Sequence, residues 1–157
     1  MQPAIWLQEC CPGCSTLPSR GRVPWTPPPS ACSTLPSLGQ VLWSYGPGDL
    51  DAPHHPTLTP EGTILIFDNG RRRGWSRVLE IDPHSGEQTW EYRADGFFSE
   101  VRGGAQRLPG GTTLITESER GRVFEVTREG EIVWEWWNPV LEDGARRRVY
   151  RATRLPE

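Results

Sequence analysis

Three sets of residues in this 157-residue chain are of types that could do chemistry. The first is the adjacent pair His54-His55, which opens the stretch "HHPTLTPEGTILIFDNG". A neutral imidazole is both a nucleophile and a base near physiological pH, so the pair is either reactive or an ordinary piece of loop. The second set is Cys10, Cys11, Cys14 and Cys32, in which Cys11-Pro12-Gly13-Cys14 has the spacing of redox and zinc motifs. The third is arginine. All 17 basic residues are Arg and none is Lys, and runs such as Arg71-Arg72-Arg73 could hold an anion. Which of these can act depends on the scaffold that places them.

Composition narrows the choices. Hydrophobic content of 35% with 17 Gly and 16 Pro is low in core formers and rich in turn formers. A net charge of -3 argues against nucleic acid as a general partner. No window approaches the ~20 apolar residues of a membrane helix. The start, "MQPAIWLQECC", lacks a basic n-region and a long apolar h-region, so it is a poor secretory signal; the chain is cytoplasmic or its true start lies upstream. No βαβ pattern follows the cysteines, and the gap to Cys32 is rich in Pro and Ser, so residues 1–38 read as a disordered leader rather than a metal or redox site. The leader is partly duplicated. "CSTLPSRGRVPW" from Cys14 recurs 18 residues later as "CSTLPSLGQVLW" from Cys32, with nine of twelve positions identical. Pro24 would remove a ladder donor from the first copy.

From residue 39 to 157 a longer repeat takes over. "GQVLWSY", "GEQTWEY" and "GEIVWEW" begin at Gly39, Gly86 and Gly130, while Pro60, Pro109 and Pro156 mark "LTPEGTILIF", "RLPGGTTLIT" and "RLPE". Each full unit of 44–49 residues reads as four short strands separated by turn signals, at 56–58, 63–67, 76–81 and 87–92 and again at 105–108, 112–116, 122–126 and 131–136. Nothing has helical periodicity. The fold class is therefore all-β, a partial β-propeller of about two and a half four-stranded blades. Because propellers close with about 4–8 blades, the chain is expected to be a C-terminal fragment or to complete its ring with another chain. Trp43, Trp90 and Trp134 recur in the outer strand, which points to packing between blades rather than ligand stacking.

This scaffold gives the histidines a place. Alignment on the prolines puts His55 at the mouth of an innermost strand, with Gly104 and Arg151 as its counterparts in the next two units. The loops after the second strands, "DNGRRRGW" and "TESERG", open on the same face as the segments around Arg102 and Arg146–Arg148. Eight arginines in these loops make an anion funnel one reading. Asp49, Asp51, Asp68, Glu100 and Glu117 share the face and make a mixed, solvated surface the other. His84, in "DPHSGE", is a turn residue on the opposite face. In Asp68-Asn69-Gly70, loop architecture is a stronger reading than direct catalysis, because Asn-Gly is a turn dipeptide.

Together with "SRVLEIDPHSGEQTWEY", "FFSEVRGGAQRLPGGTTLI", "GRVFEVTREGEIVWEWWNP" and "VYRATRLP", the histidine stretch resembles the C-terminal part of the bacterial arylsulfotransferase family, over about residues 39–156. The resemblance implies a six-bladed propeller that moves a sulfuryl group from an aryl sulfate donor to a phenol acceptor without a cofactor. It also implies that a histidine ahead of the Phe-Asp-Asn-Gly strand is the nucleophile. His55 matches that position best and His54 is the alternate. A neutral imidazole would attack sulfur and expel a phenolate, giving a sulfo-histidine and ping-pong kinetics, with cationic donors for the sulfuryl oxygens. Arg151, Arg102 and Asn69 are the local candidates for substrate binding, although no family motif marks either arginine. The family's further histidines and an arginine come from earlier blades, so the fragment alone is expected to be inactive; enzymatic members are exported to the periplasm. A non-catalytic propeller module that binds through the same face, or a truncated product without function, are the alternatives.

Overall fold

The protein is described by a computed structural model over residues 5–7, 44–46 and 48–155. The cysteines, the duplication and Trp43 lie outside the described residues. A short strand, β1 (Ile5–Leu7), is followed by two four-stranded antiparallel sheets that each run in chain order. The first contains β2 (Pro53–Leu58), β3 (Ile64–Asp68), β4 (Arg77–Ile81) and β5 (Gln88–Tyr92). The second contains β6 (Gly104–Arg107), β7 (Thr113–Glu117), β8 (Arg122–Val126) and β9 (Ile132–Trp137), with one turn of 3-10 helix at Ser118–Arg120 between β7 and β8. A small hairpin of β10 (Leu141–Glu142) and β11 (Ala145–Arg146) precedes β12 (Ala152–Arg154), which pairs with β1. The fold is all-β and propeller-like, and none of its sheets closes on itself.

The expected strands fall within a few residues of the observed ones. The largest difference is β2, which begins three residues earlier and contains both histidines. Local chemistry accounts for the repetition. After β2 and after β6 the chain makes the same turn: Thr59 N–H donates to Thr63 O and Gly62 N–H to Thr59 O, as Leu108 N–H does to Thr112 O and Gly111 N–H to Leu108 O.

Alternation along β3 and β4 sends successive side chains to opposite faces, and both faces are covered. Leu65, Phe67 and Val78 join Ala105, Ile115 and Phe124 in a core between the two sheets. Ile64, Ile66, Leu79 and Ile81 pack on the other side against Tyr45 and Leu50. A third cluster, of Leu108, Leu114, Val123, Val149 and Ala152, covers the far face of the second sheet. Burial on both faces explains why "ILIF" reads as an uninterrupted apolar run.

One polar device ties each sheet to the next repeat of the chain. Buried Glu80 on β4 accepts from Arg107 Nη2 on β6 at 2.5 Å, from Arg128 Nη1 at 2.6 Å and from the Thr63 hydroxyl at 2.6 Å. The Arg107 guanidinium lies 4.6 Å from the Trp90 ring centre, and Trp90 Nε1–H donates to Arg128 O at 2.7 Å. In the next unit Glu125 accepts from Arg154 and Thr112, and Arg154 lies 5.5 Å from the Trp134 ring centre. Trp90 and Trp134 are packing residues here. Burial pushes the Glu80 carboxyl up, but Thr63 and the two guanidiniums outweigh it and hold the group below the ordinary carboxylate range.

Candidate functional site

The site is built where the loop after β3 meets the connection from β5 to β6. Asp68, fully buried, closes β3: its Oδ1 accepts Asp51 N–H at 2.8 Å, and its Oδ2 accepts Arg73 Nη2 at 2.8 Å and Arg77 Nε at 2.9 Å. Gly70 follows in the left-handed region at φ 69°, and a Cβ there would stand 1.8 Å from Trp75 O, so no other residue fits that turn. Between them Asn69, also fully buried, uses its whole amide. Its Nδ2 donates to Ser99 O and to Arg102 O, both at 2.6 Å, and its Oδ1 lies 2.6 Å from His54 Nδ1. The Asn69 side chain has no N–H left for a substrate. The loop reading of Asp68-Asn69-Gly70 describes these contacts better than the substrate-binding one.

The hydrogen bonds fix the state of His54. Two backbone carbonyls can only accept, so the Asn69 group facing them is the NH2 and the atom facing His54 is the oxygen. His54 Nδ1 also lies 3.2 Å from Ala52 O, a second acceptor. Nδ1 therefore carries the hydrogen, and in the neutral ring the lone pair sits on Nε2.

His55 is different. Pairing runs from His54↔Phe67 to Thr57↔Leu65, so β2 holds one residue more than β3 across this step. That is a β-bulge, and His55 sits in it at φ 51°. The second sheet has no bulge at this point, with Gly104↔Thr116 and Ala105↔Ile115 in step. Counting from the prolines makes Gly104 the counterpart of His55. Counting by register from the buried acids Asp68 and Glu117 makes it the counterpart of His54, and the bulge is the difference. The His55 ring lies against the neighbouring first strand: a Cβ on Gly104 would be 2.6 Å from His55 Nδ1. That nitrogen is buried without a hydrogen-bond partner. Burial, the positive charge of Arg151 and the neighbouring His54 lower the His55 pKa to about 4, against a smaller upward pull from the Ala105 backbone. His55 is neutral at physiological pH.

Arg102 and Arg151 converge on Tyr150, whose ring centre is 5.5 Å from one guanidinium and 5.8 Å from the other. Neither makes an ion pair with a carboxylate among the described residues. Most of the other loop arginines do: Arg71 with Glu100, Arg72 with Asp51, Arg73 with Asp68, Arg120 with Glu117 and Arg147 with Glu142. The face is thus largely a mixed, self-paired surface, with uncompensated charge beside the histidines. His84 is an exposed turn residue 3.4 Å from Asp82. Sequence reasoning missed Tyr150, the bulge and the two carbonyls that hold Asn69. The Gly-Gly of "VRGGAQRLP", standing where the first unit has histidines, was the available signal for the close approach.

Among the described residues no group of three or more His, Cys, Asp or Glu side chains is placed to hold a metal ion, and no helix is long and apolar enough to cross a membrane. A family model described as Arylsulfotransferase (ASST) matches residues 29–139. No curated protein matches the chain.

Proposed function

Because the chain belongs to the arylsulfotransferase family, we propose that its histidine pair serves sulfuryl transfer from an aryl sulfate to a phenol, with His54 as the nucleophile in preference to His55. The observation that carries this reading is the 2.6 Å contact between His54 Nδ1 and Asn69 Oδ1. It leaves Nε2 as the basic nitrogen of an oriented ring, whereas His55 Nδ1 is buried against Gly104 without a hydrogen-bond partner.

In the first step the Nε2 lone pair attacks sulfur while the S–O bond to the aryl group breaks. The electron pair leaves with the phenolate, and an N-sulfo-imidazolium remains whose Nδ1–H still donates to Asn69. In the second step the oxygen of an acceptor phenol, giving its proton to solvent or to the departing phenolate, attacks the same sulfur. The N–S bond breaks and returns its electrons to the ring. Arg151, whose charge acts on His55, and Arg102, which shares the Tyr150 ring with it, supply charge for the sulfuryl oxygens. A neutral His55 adds no second proton to compete for them.

The test is to incubate the chain with 4-nitrophenyl sulfate and phenol, and to follow nitrophenolate by absorbance and the 80-Da adduct on tryptic peptides by mass spectrometry. The reading requires an adduct on the peptide containing His54 that is lost in His54→Ala. An adduct lost only in His55→Ala would exchange the two roles. No adduct and equal turnover by all three proteins would leave a binding module or the inactive fragment expected from the sequence.

A further inference from the structure

We propose that Asn69 is a positioning residue that locks His54 in its Nδ1–H tautomer, and that the docking of the β5–β6 connection sets the lock. Its catalytic consequence rests on the reading of His54 as nucleophile; the tautomer itself does not.

Donor and acceptor roles decide the arrangement. An amide can present either end to a histidine, and a histidine can answer with either tautomer. Asn69 alone would therefore leave two self-consistent arrangements: amide oxygen to Nδ1–H, or amide N–H to a bare Nδ1. Only the first puts the lone pair on Nε2. The sense of the Asn69 amide is set by Ser99 O and Arg102 O, which accept both Nδ2 hydrogens at 2.6 Å and belong to the segment that leads into the second sheet; the longer 3.2 Å contact of Nδ1 with Ala52 O favours the same tautomer. Arg102 is held at φ 67°, so this carbonyl is aimed by a backbone conformation that side-chain-bearing residues seldom adopt. Ser99 is fixed in turn: its N–H donates to Ser76 Oγ at 2.9 Å, and Ser76 Oγ–H donates to Asn69 O at 2.7 Å. The path from inter-sheet packing to the reactive nitrogen is closed and contains only groups whose donor or acceptor sense is forced. Outer-shell partners of a working histidine act in this way in metal sites, where their loss costs about 10–100-fold in affinity or activity.

The experiment reads tautomer and turnover separately. Long-range ¹H–¹⁵N correlation spectra of the full chain, at a pH where His54 is neutral, report which ring nitrogen bears hydrogen. The expected result is Nδ1–H for His54 in the wild type, and loss of that uniform state in Asn69→Ala. With 4-nitrophenyl sulfate, Asn69→Ala is expected to lose about 10–100-fold in kcat with a smaller change in KM. A wild-type His54 carrying hydrogen on Nε2 overturns the lock outright, whether or not any variant folds. An Nδ1–H tautomer unchanged in a folded Asn69→Ala overturns the role of Asn69. Absence of His54-dependent turnover in every protein overturns the functional reading and leaves the lock to be judged by the spectra.

Discussion

The two complete sheets solve the same structural problem with the same parts and differ at one point. In each, the second strand ends in a fully buried acid. Asp68 takes Arg77 from the facing strand and an N–H from the preceding connection; Glu117 takes Arg122 and the N–H of Phe98 in the same way. In each, a third-strand glutamate reaches the arginine of the next first strand, Glu80 to Arg107 and Glu125 to Arg154. The first strands part company. β2 has a bulge and two imidazoles, while β6 runs in step and offers Gly104 and Ala105. The difference teaches that two imidazoles are accommodated in this repeat by a one-residue insertion on one unit and a missing side chain on its neighbour. A ring at position 55 needs the space that Gly104 leaves.

The comparison can be tested at three strengths. The largest effect is expected from Glu80→Ala, which strands a buried guanidinium and a second, partly exposed one; by the usual cost of breaking a buried pair the fold should lose about 3–5 kcal/mol in chemical denaturation. Glu125→Ala removes the equivalent group from a less buried site with one arginine and should lose about 1–3 kcal/mol. Equal losses would show that the two latches are not graded by burial.

Next is Gly104→Ala. Its methyl group would fall 2.6 Å from His55 Nδ1, and overpacking of this kind costs about 1–3 kcal/mol. In a His55→Asn background, which removes the ring and keeps a residue tolerant of positive φ, the loss should shrink. A double-mutant cycle with no coupling would separate the bulge from the glycine.

The smallest effect is nil at neutral pH. The folded-state pKa of His55 lies near 4, below the ordinary value of 6.5, so between these values the unfolded chain binds more protons than the folded one. Stability from this residue is intact above about pH 6.5 and drains away as the pH falls toward 4. Denaturation midpoints of His55→Asn should fall less steeply than wild type across that window. Parallel curves would mean that the ring titrates normally.

Much of the fold was legible because its signals are local. Alternation and Pro-Glu-Gly or Pro-Gly-Gly turns repeat at 44–49 residues, and strand placement follows from them within a few positions. The apolar run "ILIF" was legible as a strand, though not as one buried on both faces. The site was half legible. Position brought attention to the histidine pair, to Asn69 and to Arg102 and Arg151. Counting from the prolines pairs Gly104 with His55, whereas strand register pairs it with His54, because the count passes through the bulge without registering it.

The sequence by itself determined a repeating four-stranded unit, the presence of two imidazoles at the start of one innermost strand and the turn chemistry around Asp68-Asn69-Gly70. Those properties depend on neighbours a few residues apart. Only the tertiary structure decided which nitrogen of His54 bears hydrogen, that His55 stays neutral and which arginines remain uncompensated. Each depends on a partner 15 to 96 residues away, such as Asn69, Gly104 or Arg151. The senses of those contacts, donor or acceptor and packed or open, are fixed only once the second sheet docks against the first.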